Sequence, residues 1–169
     1  FSADSVYTNP FVNQKNGGLG LSTQYKHGNS TFMLGMHDSG NHSGLFGQAS
    51  DDTKTIATSF IHNSRSVDHL AAISGVMEEK DTLLGSKHSG AIGISGSNPK
   101  SYFNGFNIEH SFKDNLFFKA NTILARTIVK NPNNSLIHSF SPISSSSFEI
   151  SLIKKNIFDT DDRLLISLS

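Results

Sequence analysis

Eight histidines, one glycine-flanked serine and a short acidic run are the residues of this chain whose types could do chemistry. His27, His37, His42, His62, His69, His88, His110 and His138 are candidate metal ligands. No two of them stand at H-x3-H or HExxH spacing, and the absence of cysteine removes thiolate sites. The best local cluster is His37, Asp38 and His42 around a Gly/Ser/Asn loop. Gly93-Ile94-Ser95-Gly96 is one residue short of the G-x-S-x-G elbow, and it runs into a turn at Ser97 to Pro99 rather than a helix. A hydrolase pairing Ser95 with a histidine is therefore the least supported functional class. Asp159-Thr160-Asp161-Asp162 lacks the central Gly and distal Glu of a calcium loop and reads as a charged turn. Asn29-Ser30-Thr31 and Asn41-His42-Ser43 match the N-x-[ST] pattern, which is uninformative in a chain this rich in Asn and Ser. The expectation is of no catalytic residue, no cofactor, no metal site and no enzyme activity.

Composition narrows the remaining classes. Lys+Arg and Asp+Glu are both 14 in 169 residues, so net charge is zero and no electrostatic footprint for nucleic acid or an anionic membrane appears. Charged residues are only 17% of the chain, yet mean hydropathy is −0.27. Ser, Asn, Thr, Gly and His replace the missing charge, and such residues suit a wetted interior or long surface loops. Zero cysteines exclude a disulfide scaffold. No apolar run reaches the ~20 residues of a membrane-spanning helix, and Phe1 to Asp4 has no signal-peptide character. Ile166 to Ser169 breaks off within an alternating run, so residues 1–169 are expected to be one β-barrel-like domain cut from a longer chain.

The elements that would position these residues are strands. Turn-forming clusters recur at the spacing of all-β architectures. They predict strands over 18–26, 30–37, 43–49, 54–62, 68–77, 82–96, 101–112, 116–129, 135–141, 146–155 and 163–169. Only Val67 to Glu79 could also pass for one side of a short helix. Alternation of period two is clearest at Gly18 to Met36, and it means a strand with one apolar and one polar face. The polar parity holds Gly20, Ser22, Gln24, Lys26, Gly35, Glu109, Lys119, Asn121, Glu149 and Ser151. Charges in mid-strand are costly in a dry core and comfortable in a barrel lumen. The apolar parity holds Leu19, Leu21, Phe32, Leu34, Phe148, Ile150 and Leu152 and should meet lipid or core. Thirteen Phe, many near strand ends, suggest an aromatic girdle. The absence of Trp and presence of only three Tyr favour ordinary packing instead.

The stretches Thr82-Leu83-Leu84-Gly85-Ser86 through Ser89-Gly90-Ala91-Ile92-Gly93, Ser145-Ser146-Ser147-Phe148-Glu149-Ile150-Ser151-Leu152 and Asp162-Arg163-Leu164-Leu165-Ile166-Ser167-Leu168-Ser169 carry a family likeness. Over about residues 70–169 they resemble the C-terminal β-barrel-like region of autotransporter-type subtilisin-family serine proteases from proteobacteria. None of the protease domain's motifs is present, so no catalytic residue carries over. The resemblance implies an all-β, antiparallel up-and-down meander forming an outer-membrane-type β-barrel, complete or incomplete. It further implies a non-catalytic anchor and translocation barrel at the bacterial outer membrane and cell surface. Its partners would be outer-membrane lipid, the barrel assembly machinery and a passenger domain in cis. The alternative is a soluble β-sandwich or small barrel acting as a binding or adhesion module.

Overall fold

A two-residue loop, Gly28-Asn29, opens the architecture by joining β1 (Leu19–His27) to β2 (Ser30–Ser39). Gly28 has φ +56° and its missing Cβ would meet nothing within 4 Å. Positive φ at the first loop residue is what a type II′ hairpin turn needs, and only glycine adopts it without strain. The left-handed Asn115 (φ 59°) and Asn156 (φ 55°) play the corresponding part in two later turns. In the computed structural model, residues 19–39, 53–64, 67–80, 82–83, 86–87, 97–112, 115–129, 140–156 and 162–169 are described.

The chain continues through β3 (Thr53–His62), β4 (His69–Glu79), a two-residue pair β5 (Thr82–Leu83) and β6 (Ser86–Lys87), then β7 (Lys100–Phe112), β8 (Leu116–Ile128), β9 (Ile143–Lys155) and β10 (Arg163–Leu168). Eight strands form one sheet in the order β1-β2-β3-β4-β7-β8-β9-β10, and every neighbouring pair is antiparallel. This is an all-β, up-and-down meander whose sheet is open, with β1 and β10 as its edges. No described helix is long and apolar enough to cross a membrane, which leaves spanning by strands untouched.

Several expected boundaries shift. The segment with helical spacing is strand β4, because Ile73 and Val76 are β-branched and the segment is hydrogen-bonded to β3 on one side and β7 on the other. The single strand expected over 82–96 is corrected at its start. Leu83 pairs with Ser86 across a dipeptide that includes Gly85, so the chain doubles back in a minimal ladder. Residues 88–96 and the strand expected over 43–49 lie outside the described residues. Of the strand expected over 135–141, residues 140–141 are without strand structure and the rest lies outside the description. β9 instead begins at Ile143, earlier than the alternation alone indicates.

Connections divide by length between the two ends of the sheet. At one end they span 28–29, 63–68, 113–115 and 156–162; at the other they span 40–52, 80–99 and 129–142. The strands are also staggered. His62, the last residue of β3, aligns through Leu70 with Ile108, whereas β7 runs on to Phe112. Such offsets are what a tilted, curling sheet requires.

Packing is concentrated on one face. Met77, Phe103, Ile123 and Ala125 form the buried cluster, with Ala57 and Ile73 against it. Gly75 makes the cluster possible. A Cβ there would lie 2.5 Å from Phe103 Cζ and 2.6 Å from the Ile56 carbonyl oxygen, so the Phe103 ring lies directly across its register partner.

Candidate functional site: two opposed faces of one sheet

Directly paired residues in an antiparallel ladder share a face, and successive residues alternate faces. The register therefore sorts every strand residue. One face carries Leu19, Leu21, Phe32, Leu34, Phe148, Ile150 and Leu152, the complete apolar set read from the sequence. The opposite face carries Gly20, Ser22, Gln24, Lys26, Gly35, Glu109, Lys119, Asn121, Glu149 and Ser151, the complete polar set.

Accessibility runs against the usual rule for water-soluble proteins. On the first, outer face the apolar side chains are open: Leu21 is 75% exposed, Phe32 50%, Leu124 56% and Phe148 53%. On the inner face Thr55, Ser101, Asn107, Thr127 and Ser151 are buried. Edge strand β1 is exposed on both faces, and Ser145 and Ser147 are exposed on the inner face of β9.

Charged and aromatic residues frame the outer face. Toward the long connections, Asp38, Lys54, Glu78 and Lys100 are consecutive register partners across four strands. Within this row Lys54 Nζ lies 3.7 Å from Asp38 and Lys100 Nζ 3.0 Å from Glu78. Toward the short turns the frame is aromatic. Phe32 packs on Phe60 at 4.9 Å between ring centres, His62 stacks on Phe60, His27 stacks on Tyr25, and His110 meets Phe112 edge-on at 4.6 Å. Sequence reading raised an aromatic girdle from the Phe near strand ends and set it aside for want of Trp; it missed the charged row, because that row exists only once four separate segments are in register.

The inner face is layered. A polar tier holds the buried hydroxyl pair Ser101 Oγ–Thr127 Oγ1 at 2.8 Å. The apolar cluster around Phe103 follows. Beyond it, toward the short turns, lie Asn107, Asn121, Glu109, Lys119, Glu149 and Ser151. Lys119 Nζ is 3.4 Å from Glu109, and Ser151 Oγ donates to Glu149 at 3.0 Å. Both amide atoms of Asn107 are buried without a protein partner, as is Thr55 Oγ1, and such groups are satisfied by water where room exists.

The candidate chemistry residues are scattered by the same register. His37 lies on the inner face and Asp38 on the outer, so they point to opposite sides of the sheet, and His42 lies outside the described residues. His27, His62 and His110 are on the outer face, while His69 shares the inner face with its partner Glu109 and bonds Asn63 through Nδ1 at 3.2 Å. No group of three His, Asp or Glu among the described residues could hold a metal ion. Ser95, His88, His138 and Asp159 to Asp161 lie outside the described residues. Among these groups a carboxylate stands out at the short-turn end. Asp68 accepts from both the backbone N–H and the hydroxyl of Ser111, and these bonds hold its carboxyl below the ordinary value of 3.8. No family model, no curated protein and no solved structure matches the chain.

Proposed function

We propose that this chain is wall of an outer-membrane-type β-barrel that anchors a passenger domain of the same polypeptide and helps it reach the cell surface. The observation that supports the reading is the polarity of the sheet, with exposed hydrocarbon on the outer face and buried hydroxyls, the Asn107 amide and Glu79 on the inner face beside the apolar cluster. Transmembrane barrels alternate apolar-out and polar-in because lipid lies on one side and a polar interior on the other.

Three further features support it. The outer face between its borders, which includes Thr58, Ser74 and Asn104 among its apolar residues, has a bilayer's height: from Lys54 to His62 and from Lys100 to His110 the strands run about 26 and 33 Å at ~3.3 Å per residue. At the ~40° tilt usual in barrels these become about 20–25 Å, close to the ~25 Å apolar band of outer-membrane proteins. Short turns at one end and long connections at the other follow the pattern of periplasmic turns and extracellular loops. Strands of thirteen residues in β7, β8 and β9 exceed the globular mode of ~5–6 and suffice to cross at a tilt. The passenger, by the family resemblance, is a subtilisin-like protease, and the assembly machinery and outer-membrane lipid are the partners. The chain itself makes and breaks no bonds.

A soluble binding or adhesion module is the second reading. The dry cluster of Met77, Phe103, Ile123 and Ala125 favours it, since a lumen wall does not need a close-packed core. Fractionation of the expressed chain separates the two. The anchor reading expects it in the membrane fraction, kept dispersed only by detergent; a soluble monomer without detergent contradicts it. Absence of labelling by a fluorophosphonate probe is expected, and labelling would overturn the non-catalytic assignment.

A further inference from the structure

The open sheet leaves two bare edges. β1 and β10 are each paired with a neighbour on one side only, and both are exposed along their whole length. Soluble proteins blunt such edges with proline, bulges or inward-pointing charge. Neither strand contains proline, and the unbroken registers of Leu19 to His27 and Arg163 to Leu168 leave no place for a bulge. Lys26 and Arg163, both near the short turns, are their only Lys, Arg, Asp or Glu residues. The rest of each edge is an unguarded template for pairing. The two edges also match. β1 runs toward the short turns and β10 away from them, so a ladder between them is antiparallel. Leu19, Leu21 and Thr23 lie on the outer face, as do Leu164, Ile166 and Leu168, and such a ladder keeps these two sets on one side.

We infer that these edges are filled by a second copy of this chain, β1 of each copy pairing with β10 of the other to close one barrel from two eight-stranded walls. The inference rests on the membrane reading above, since a bilayer core leaves no backbone group unpaired. Register fixes where the joint falls. The row through Leu168 crosses Ile150, Ala120, Ile108, Leu70, His62 and Ser30 and arrives at His27. β10 stands level with β1 only after a step of eight residues, which sets Leu168 beside Leu19 and pairs all of β10 with Leu19 to Gln24. Eight residues of stagger across eight strands is a tilt of about 35°, as in closed barrels. That tilt is the same for one copy or two. The edges decide between them, because within one chain β1 and β10 do not meet. Burial on the inner face fades toward both edges in the same way. Along the row through Phe103, Ala125 is buried and Ser145 exposed on one side; on the other, Ala57 and Gly35 are half-buried and Ser22 exposed. A closed sheet of about sixteen strands holds a water-filled channel. Gly20, Ser22, Ser145, Ser147 and Ser167 would line it beside each joint, with Leu165 the apolar exception.

The absence of native cysteine makes the joint testable by cross-linking. Leu21 and Ile166 on the outer face, and Ser22 and Leu165 on the inner, are direct partners in the inferred joint. Both Cα separations of an antiparallel ladder lie in the range a disulfide spans. Full chain carrying Leu21→Cys or Ile166→Cys, and likewise Ser22→Cys or Leu165→Cys, is reconstituted into phosphatidylcholine–phosphatidylglycerol vesicles and oxidised. Each variant alone is expected to stay monomeric. The two members of a pair, mixed before reconstitution, are expected to give a disulfide-linked dimer. A chain carrying both members is expected to end as a dimer without free thiol. An internal disulfide in monomeric chain, with no cross-link in the mixtures, overturns the second copy; each chain then closes on itself and the membrane reading stands. Vesicle-bound chain that gives neither product overturns the joint and leaves the membrane reading standing. Chain that does not float with the vesicles overturns both. Dimer from one variant alone, or formed as fast from Leu21→Cys mixed with the mid-face Phe148→Cys, marks chance collision and overturns the joint. A covalent trimer overturns the count of two.

Discussion

Gly75 and Phe103 show how a single residue type shapes the inner wall. The Phe103 ring occupies the space a Cβ at position 75 would need, and the Ile56 carbonyl closes it from below. Neither backbone nor a packed ring yields cheaply, so Gly75→Ala should destabilise the fold by about 1–3 kcal/mol, the usual cost of overpacking. Thermal or denaturant unfolding of the detergent-folded chain checks this, and an unchanged midpoint would show that the ring is free to move. The Ser101–Thr127 pair offers a second case. Ser101→Ala strands a buried hydroxyl and should cost about 1–3 kcal/mol, whereas Ser101→Ala combined with Thr127→Val should recover part of that loss. A double-mutant cycle measures the coupling; strictly additive losses would mean the two hydroxyls do not depend on one another. Gly75 within an apolar run is a sequence signal of close backbone approach. Its partner is not, because Phe103 lies in a different strand and only the β4–β7 register brings them together.

At the scale of elements, the strands were legible where alternation was strict. β1, β2, β7, β8 and β10 lie within a few residues of the segments read from period-two patterning, since each has one face that must be apolar. Legibility failed where no face decides. The run from Thr82 to Gly96 alternates loosely and contains Gly85, Gly90 and Gly93, so nothing in it opposes an early reversal at Leu83 and Ser86. The turn at 63–68 illustrates a tie that local sequence cannot announce. Asp68 belongs to this turn, yet both of its bonds go to Ser111 near the end of β7. Because folding lowers its pKa, the tie contributes stability above the ordinary carboxylate value of 3.8 and loses it as pH falls below that value. Asp68→Asn should therefore be less stable than wild type at neutral pH, and the two should converge below pH 3.8. Unfolding midpoints across that range check the sign, and a difference that grows on acidification would refute it. Exposure and salt screening keep the effect small.

For the whole molecule, the face assignment is what the sequence made most legible, and the meaning of the faces is what it left open. Leu19 to Tyr25 and Phe148 to Leu152 can be sorted into two sets by counting residues, but counting does not say which set meets the outside. Register and accessibility together put the apolar set on the exposed side, with an alternating row of charges at one border and rings at the other. Zero net charge and a low share of charged residues fit such a molecule, whose described outer face carries only Arg126 as a Lys, Arg, Asp or Glu between the two borders. The central claim is that this exposed apolar side faces lipid. It is tested most directly by nitroxide scanning along β9, which is free of native cysteine to interfere. Single labels at Ser145, Ser146, Ser147, Phe148, Glu149 and Ile150, in chain reconstituted into bilayers, report collisions with lipid-soluble oxygen and with a water-soluble nickel chelate. Oxygen should dominate at 146, 148 and 150, and the chelate at 145, 147 and 149, with a period of two. Equal access of the chelate to both sets would contradict a lipid-facing wall.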